Sequence, residues 1–263
     1  MAKTEEKLIV NGKRLDGRAF ADLRPVRMQV GVVERADGSA QVSFGNTEAI
    51  VSAYGPRKLF PRFMQEQDTG IIRYRYNMAA FSTSDRVQPG TSRRGIEISK
   101  VSRIAFEPVI FLEDFPVTTI DVFTEIIQAD GSTRVTGINA ASLALATAGI
   151  PMRNLITACS VGKVDGELVV DLNGQEDNNS DADVAIAMIV PKEKLTLLQM
   201  DGLLTKEELF KILDMGRDTC KKIYEMQKSA IKEAYKPKPE KTEKTEKEAK
   251  TEKEKNRKVK EER

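Results

Sequence analysis

The 263-residue sequence contains no histidine. Without an imidazole, the chain has neither a Ser-His-Asp triad nor a histidine metal ligand. Its two cysteines, Cys159 and Cys220, show no C-x-x-C or other zinc spacing, so we predict buried free thiols. Any catalytic chemistry therefore falls to carboxylates acting with a metal ion or with arginines.

Long apolar runs are also missing. No segment approaches the roughly 20 apolar residues of a membrane helix, and the amino-terminal residues are charged, unlike a signal peptide. The hydrophobic content of 40% is typical of a globular protein with a substantial core. We therefore expect a soluble protein located in the cytoplasm.

Charge is distributed unevenly along the chain. The segment 236–263 carries 12 Lys and Arg against 8 Glu, and Val259 is its only large apolar residue. Such a composition cannot bury enough apolar surface to fold alone. We predict one folded domain over residues 1–235, followed by a disordered Lys/Glu-rich tail over 236–263.

Strand and helix patterns alternate twice along residues 1–235 and predict an α+β fold of two similar halves. A polar loop over 82–94 precedes the first predicted helix, and a loop over 129–134 precedes the second. Predicted strands cover 28–34, 39–44, 49–54, 71–79, 117–128, 155–161, 167–172, 183–190 and 195–199. Predicted helices cover 95–106, 138–148 and a final stretch from Thr205 to about Tyr235, which opens with a Thr-x-x-Glu capping box.

Acidic residues cluster between two predicted strands, in a segment expected to be a loop. They are Asp171, Glu176, Asp177, Asp181 and Asp183. Carboxylates this close repel one another by about 1 kcal/mol per pair in water, and a metal ion, a proton or a cationic partner relieves that repulsion. The cluster is either a functional site or a solvated acidic turn, and the sequence leaves both open.

The loop over residues 130–134 joins a predicted strand to a predicted helix. It contains a glycine, the hydroxyls of Ser132 and Thr133, and Arg134. Because the first backbone N–H groups of a helix are free, this loop is suited to bind an anion. The alternative is a plain capping loop with a surface arginine.

Two further basic segments are candidates for binding phosphate groups. Arg93 and Arg94 open a predicted helix, where cations oppose the helix dipole unless an anion joins them. The segment 57–63 combines Lys58, Arg62 and another arginine with two phenylalanines, which suits single-stranded nucleic acid. Solvated surface charges remain the alternative for both segments.

Together these features describe phosphoryl transfer on a polyanion, carried out by carboxylates and arginines. The sequence has no G-x-x-x-x-G-K-[ST] loop, so a P-loop nucleotidase is not expected. A hydrolytic two-metal nuclease is compatible with the acidic cluster alone.

Five short motifs occur in the order and spacing typical of the RNase PH family, and the resemblance covers about residues 10–235. It is closest to the catalytic RNase PH-type subunits of archaeal exosomes. The motifs are Arg14-Leu15-Asp16-Gly17-Arg18, Gly45-Asn46-Thr47, the helix start at 94–103, the loop 129–134, and Glu176-Asp177 followed by Asp183.

This resemblance implies an RNase PH-like fold of two βα halves, similar to ribosomal protein S5 domain 2. It implies a phosphate-dependent 3′→5′ exoribonuclease, in which inorganic phosphate attacks the last internucleotide phosphorus and releases a nucleoside diphosphate. The reverse reaction would extend a 3′ end. Asp177 and Asp183 are the implied catalytic pair, which binds Mg²⁺ (or Mn²⁺) or protonates the leaving 3′-oxygen; Asp181 accompanies them.

The remaining implied site residues bind the two substrates. By the resemblance, Ser132, Thr133 and Arg134 hold the attacking phosphate. Those implied to contact single-stranded RNA are Arg93, Arg94, Arg62 and Lys58.

The family resemblance also implies partners: a homologous non-catalytic RNase PH-type subunit, three such pairs closing a hexameric ring, and RNA-binding cap subunits. Two alternatives are a bacterial-type RNase PH that trims tRNA 3′ ends and a non-catalytic ring subunit that only binds RNA. Ser132 stands where bacterial members often carry glycine, which favours the exosome, and Thr133, Arg134, Asp177 and Asp183 argue against a silent subunit.

Overall fold

The computed structural model of the chain describes residues 7–10 and 12–236, so the predicted tail, apart from Lys236, lies outside the described residues. The described strands are β1 (Ile9–Val10), β2 (Lys13–Arg14), β3 (Val26–Val30), β4 (Gly38–Phe44), β5 (Thr47–Lys58), β6 (Ile71–Met78), β7 (Thr118–Gln128), β8 (Thr157–Val164), β9 (Glu167–Val170), β10 (Ala182–Ile189) and β11 (Lys194–Gly202). The helices are α1 (Arg93–Phe106), α2 (Thr133–Thr147), α3 (Gly174–Asn179) and α4 (Lys206–Ala234).

The first half is a five-stranded sheet in the order β3-β4-β5-β7-β6 with α2 and α1 packed against it. Side chains of β5 alternate between buried and half-buried, as expected for a sheet covered on one face. Helix α2 is rich in alanine and buried on nearly all sides, which allows a close approach to the sheet. A Cβ at Gly38 of β4, for example, would lie 2.3 Å from the Ala144 carbonyl oxygen.

The second half is a four-stranded antiparallel sheet in the order β11-β10-β8-β9, with α4 against it. Thr205 begins α4 with the predicted capping box: the Glu208 N–H donates to Thr205 Oγ1 at 3.3 Å, and the Thr205 N–H donates to Glu208 Oε2 at 2.9 Å. The α+β architecture of two βα halves is therefore confirmed.

Both cysteines lie in the shared core as free thiols, as predicted. Cys220 on α4 donates to Cys159 on β8 at 3.5 Å. Among the described residues, no helix is long and apolar enough to span a membrane.

Several predicted elements differ from the structure in their bounds, and three of the differences concern the first strand, α2 and the acidic loop. The first strand, predicted over 28–34, spans Val26–Val30 and ends before Gly31, whose φ of 75° breaks the extended backbone. Helix α2 begins at Thr133, not at Ile138, so Gly137 lies inside the helix and not before it. The glycine allows α2 to pack closely on β7, because a Cβ at this position would lie 2.9 Å from a Thr124 methyl carbon. The predicted acidic loop contains the short helix α3.

Candidate active site

Two of the clustered acids are neutralised by arginines from the start of the chain. Glu176, on α3, accepts from both Nε and Nη2 of Arg14, whose Nη1 donates to the Val170 carbonyl oxygen at 2.6 Å. The same Glu176 carboxylate accepts the Asn173 N–H at 2.9 Å and so completes a capping box for α3. This buried ion pair fixes the helix that carries Asp177.

Asp171 is bound in the same way by Arg24. Its carboxylate accepts the Arg24 backbone N–H at 2.8 Å, Nε at 3.0 Å and Nη2 at 2.7 Å. Arg24 Nη1 also donates at 2.6 Å to the carbonyl oxygen of Asp130, which connects this pair to the loop before α2. Asp171 and Glu176 are therefore structural acids, and the catalytic candidates reduce to Asp177, Asp181 and Asp183.

These three aspartates line one open cavity of about 870 Å³. Helix α3 supplies Asp177, and the first residues of β10 supply Asp183. The starts of α1 and α2 supply arginines to the same cavity, which are Arg93, Arg94 and Arg134. The structure therefore brings together six of the predicted site residues, three acidic and three basic.

The electrostatics of the cavity favour a proton on Asp183. Burial and, to a lesser extent, the neighbouring Asp177 raise its pKa to about 6, against the opposing effect of Arg134 and Arg94. Burial likewise raises the pKa of Asp177, again against the two arginines. A carboxyl with a pKa near neutrality can serve as a proton donor or acceptor at working pH.

Two buried polar atoms of the charged cavity residues have no hydrogen-bond partner. They are Oδ1 of Asp183 and Nε of Arg134. An unpaired buried acceptor or donor costs about 1–3 kcal/mol, so such atoms persist in proteins where a ligand uses them. Asp183 Oδ1 lacks a hydrogen-bond donor or a cation, and Arg134 Nε lacks an acceptor such as an anion.

The loop before α2 presents backbone groups more than hydroxyls. Ser132 has a left-handed φ of 55°, and its hydroxyl donates to the Leu172 carbonyl oxygen at 2.8 Å, with Ser160 Oγ 3.1 Å away. The Thr133 hydroxyl accepts from Tyr76 at 2.9 Å. Because the Ser132 side chain is engaged, any contribution of Ser132 to an anion site would come from its backbone. The first N–H groups of α2 and Arg134 stand beside it.

Lys58 and Arg62 do not line the cavity. Lys58 ends β5 and pairs with Thr118 at the start of β7, whereas Gln128 at the other end of β7 leads to the loop before α2. Because β7 lies between them, Lys58 and the loop before α2 are roughly 30 Å apart. Arg62 lies in an exposed 3-10 turn, Arg62–Met64, beyond Lys58.

Sequence reasoning missed several cavity residues. Asp201 lies directly opposite Asp183 in the β10–β11 pair, and Gln199 Nε2 donates to Glu97 Oε1 at 2.7 Å across the cavity wall. The strand predicted over 195–199 ended before Asp201, so the cross-strand pairing was not visible. Arg24, which lies outside this cavity, was also missed, because its partner Asp171 is 147 positions away.

Comparison with known proteins gives a consistent result. Family models for the 3′ exoribonuclease family (RNase PH) match residues 22–151 as domain 1 and residues 154–219 as domain 2. The exosome complex component Rrp41 of Pyrococcus furiosus is 54% identical over 225 residues, which is 86% of this chain and 90% of that protein.

Two solved structures share the fold at low sequence identity. Rice Rrp46 matches with a TM-score of 0.75 and 23% identity, covering 83% of this chain and all of that one. A chain of the Archaeoglobus fulgidus exosome with RNA bound to its active site matches with a TM-score of 0.73 and 22% identity, covering 82% and 93%.

Proposed function

The chain belongs to the RNase PH family of 3′ exoribonucleases, and from this premise we propose that it is the catalytic RNase PH-type subunit of an archaeal exosome. It degrades RNA from the 3′ end by phosphorolysis. One observation carries the proposal: the cavity places Asp177 and Asp183 together with Arg134 at the start of α2. These are the groups needed to hold a free phosphate beside a scissile phosphodiester.

The reaction follows from the placement of these groups. Arg134 and the N–H groups of α2 hold inorganic phosphate, and Arg93 and Arg94 hold the 3′-terminal phosphates of the RNA. A phosphate oxygen forms a bond to the last internucleotide phosphorus, and the bond from that phosphorus to the 3′-oxygen breaks. The leaving 3′-oxygen takes a proton, and Asp183, whose pKa is raised to about 6, is the donor when no metal ion is bound to its carboxyl group. The products are a nucleoside diphosphate and RNA shortened by one nucleotide.

The residues also fit a magnesium ion. Within the described part of the chain no group of three or more Cys, Asp or Glu side chains is placed to hold a metal. Mg²⁺ needs fewer, because it binds through one or two carboxylates together with substrate phosphates and water. Asp177 and Asp183, with its unpaired Oδ1, would hold it, and its charge would offset that of the phosphates.

Assembly with other subunits is part of the proposal. Relatives 48–54% identical are named exosome complex components, including one from Methanopyrus kandleri that this chain covers over 99% of its length. We place the chain in a hexameric ring of three heterodimers with a homologous non-catalytic subunit, capped by RNA-binding subunits.

The decisive test uses the chain assembled with its genomic ring partner. A 5′-labelled oligoribonucleotide is incubated with and without inorganic phosphate, and the released nucleotide is identified. We expect degradation only with phosphate and a nucleoside diphosphate as product. Phosphate-independent release of nucleoside monophosphates would identify a hydrolase instead, and no degradation would indicate a silent RNA-binding subunit.

Arg134→Ala is expected to raise the KM for phosphate roughly 10-fold or more while leaving RNA affinity nearly unchanged. The reason is that its guanidinium stands at a helix start, where it pairs with a small free anion. Steady-state kinetics with phosphate and RNA varied separately measure both values. A loss of RNA affinity with an unchanged phosphate KM would assign Arg134 to the RNA.

The double variant Lys58→Ala/Arg62→Ala should act only on long substrates. Both side chains lie roughly 30 Å from the cavity, beyond the reach of a 3-nucleotide RNA. We expect a several-fold higher KM for a 20-nucleotide RNA at low salt and no change for the trinucleotide. Lys228→Ala, which removes a partly exposed cation on α4, is the matched control. Equal effects on both RNA lengths would contradict this role.

A further inference from the structure

Tyr76 connects the two helices whose first residues flank the cavity. It lies on β6 with its ring buried. Its backbone N–H donates to Ser99 Oγ of α1 at 2.9 Å, and its phenol donates to Thr133 Oγ1 of α2 at 2.9 Å. One residue thus fixes the helix that carries Arg94 and the helix that carries Arg134.

The Tyr76 phenol also determines whether the Thr133 hydroxyl can donate a hydrogen bond to another group. Thr133 is buried at the first position of α2, and Tyr76 already donates to its oxygen. Among the described residues, no oxygen accepts the proton of Thr133 itself. Since a hydroxyl has one proton to donate, the Thr133 proton is left for a group that enters at the helix start.

The charge state of Tyr76 suits this role. Burial raises the pKa of its phenol, so the group stays protonated and keeps donating at neutral pH. Arg94 and Arg134, which both line the cavity, oppose that rise in the pKa of Tyr76.

We propose that Tyr76 is a positioning residue for the attacking phosphate: its phenol orients the Thr133 hydroxyl as a donor to inorganic phosphate bound at the start of α2. The inference rests on the proposed function, because it names the group that shapes the phosphate side of that site. Tyr76 itself touches neither substrate. It acts through Thr133 and through the spacing of the two helices.

The same strand provides a matched control. Tyr74 lies two residues earlier on the same buried face, and its phenol accepts from Thr124 Oγ1 at 2.8 Å. Thr124 belongs to β7, whereas Thr133 begins α2 and directly precedes the cavity residue Arg134. Tyr74→Phe and Tyr76→Phe therefore each remove one phenol from a buried tyrosine–threonine pair, and only the second pair adjoins the phosphate side.

The experiment measures phosphorolysis by the assembled complex with phosphate and RNA varied separately. For Tyr76→Phe we expect the KM for phosphate to rise roughly 5- to 10-fold, with the KM for RNA and kcat at saturating phosphate within about 2-fold of the parent. Tyr74→Phe should change none of these values. Thr133→Val should reproduce the phosphate effect, Thr133→Ser should retain near-parental kinetics, and Tyr76→Phe/Thr133→Val should be no worse than Thr133→Val alone.

Several outcomes would overturn the inference. They are an unchanged phosphate KM in Tyr76→Phe, an equal change in Tyr74→Phe, or effects of Tyr76→Phe and Thr133→Val that multiply in the double variant. Calorimetric titration with inorganic phosphate separates this failure from that of the proposed function. If the parent binds phosphate and Tyr76→Phe binds it more weakly, the positioning role stands even where the parent shows no phosphorolysis; equal binding by both proteins refutes it.

Discussion

Asp183→Asn is expected to lower the rate of RNA degradation at least about 100-fold while preserving the fold. The amide has nearly the shape of the carboxyl but neither supplies the proton nor carries the charge that a metal ion requires. Single-turnover assays at saturating phosphate measure the loss. Near-parental rates would remove Asp183 from the catalytic pair.

The same substitution should stabilise the metal-free protein at neutral pH. Burial raises the pKa of Asp183 to about 6, above its ordinary value of 3.8, so ionising it costs the folded state more than the unfolded state. This free-energy cost to the folded state is nearly absent below pH 4, grows as the pH rises from about 4 to about 6, and is complete above pH 6.

Urea unfolding in a metal chelator tests this pH dependence. We expect Asp183→Asn to exceed the parent by about 2 kcal/mol at pH 7.5 and to match it at pH 4. Asp214→Asn, which alters an exposed aspartate on α4, should show neither the stability gain nor the catalytic loss. A stability difference that does not depend on pH would mean that packing, and not ionisation, separates the two proteins.

Arg14→Met should destabilise the fold by about 3–5 kcal/mol, the usual consequence of leaving a buried charge without its partner. The side chain of Arg14 is fully buried against Glu176, and it also donates to the Val170 and Asp171 carbonyl oxygens. Glu176 caps α3, so the loss should displace Asp177 as well. We expect a lower urea midpoint, and reduced activity even at temperatures where the variant remains folded.

Arg103→Met provides the control for this variant, because its ion pair with Glu107 is about half exposed. That substitution should cost less than about 1 kcal/mol. If the two methionine variants were equally stable, the Arg14–Glu176 pair would not be the anchor of α3.

Several features followed from the sequence because their signals are local. The capping box at Thr205 needs only residues three apart, and β7 follows from a β-branched run that the structure reproduces within one residue. The absence of histidine restricted the chemistry to carboxylates and arginines. The five motifs in register identified the family, since their order along the chain is itself sequence information.

The tertiary structure decided which charges are free to react. The sequence shows five acids within thirteen positions as equivalent, but Arg14 lies 162 positions from Glu176 and Arg24 lies 147 from Asp171. Only the folded chain pairs them and leaves Asp177 and Asp183 facing Arg134. The same applies to Tyr76, whose hydrogen bond to Thr133 spans 57 positions. Local patterns specify strands and helices, whereas pKa values and unpaired atoms depend on burial and on neighbours that are distant in the chain.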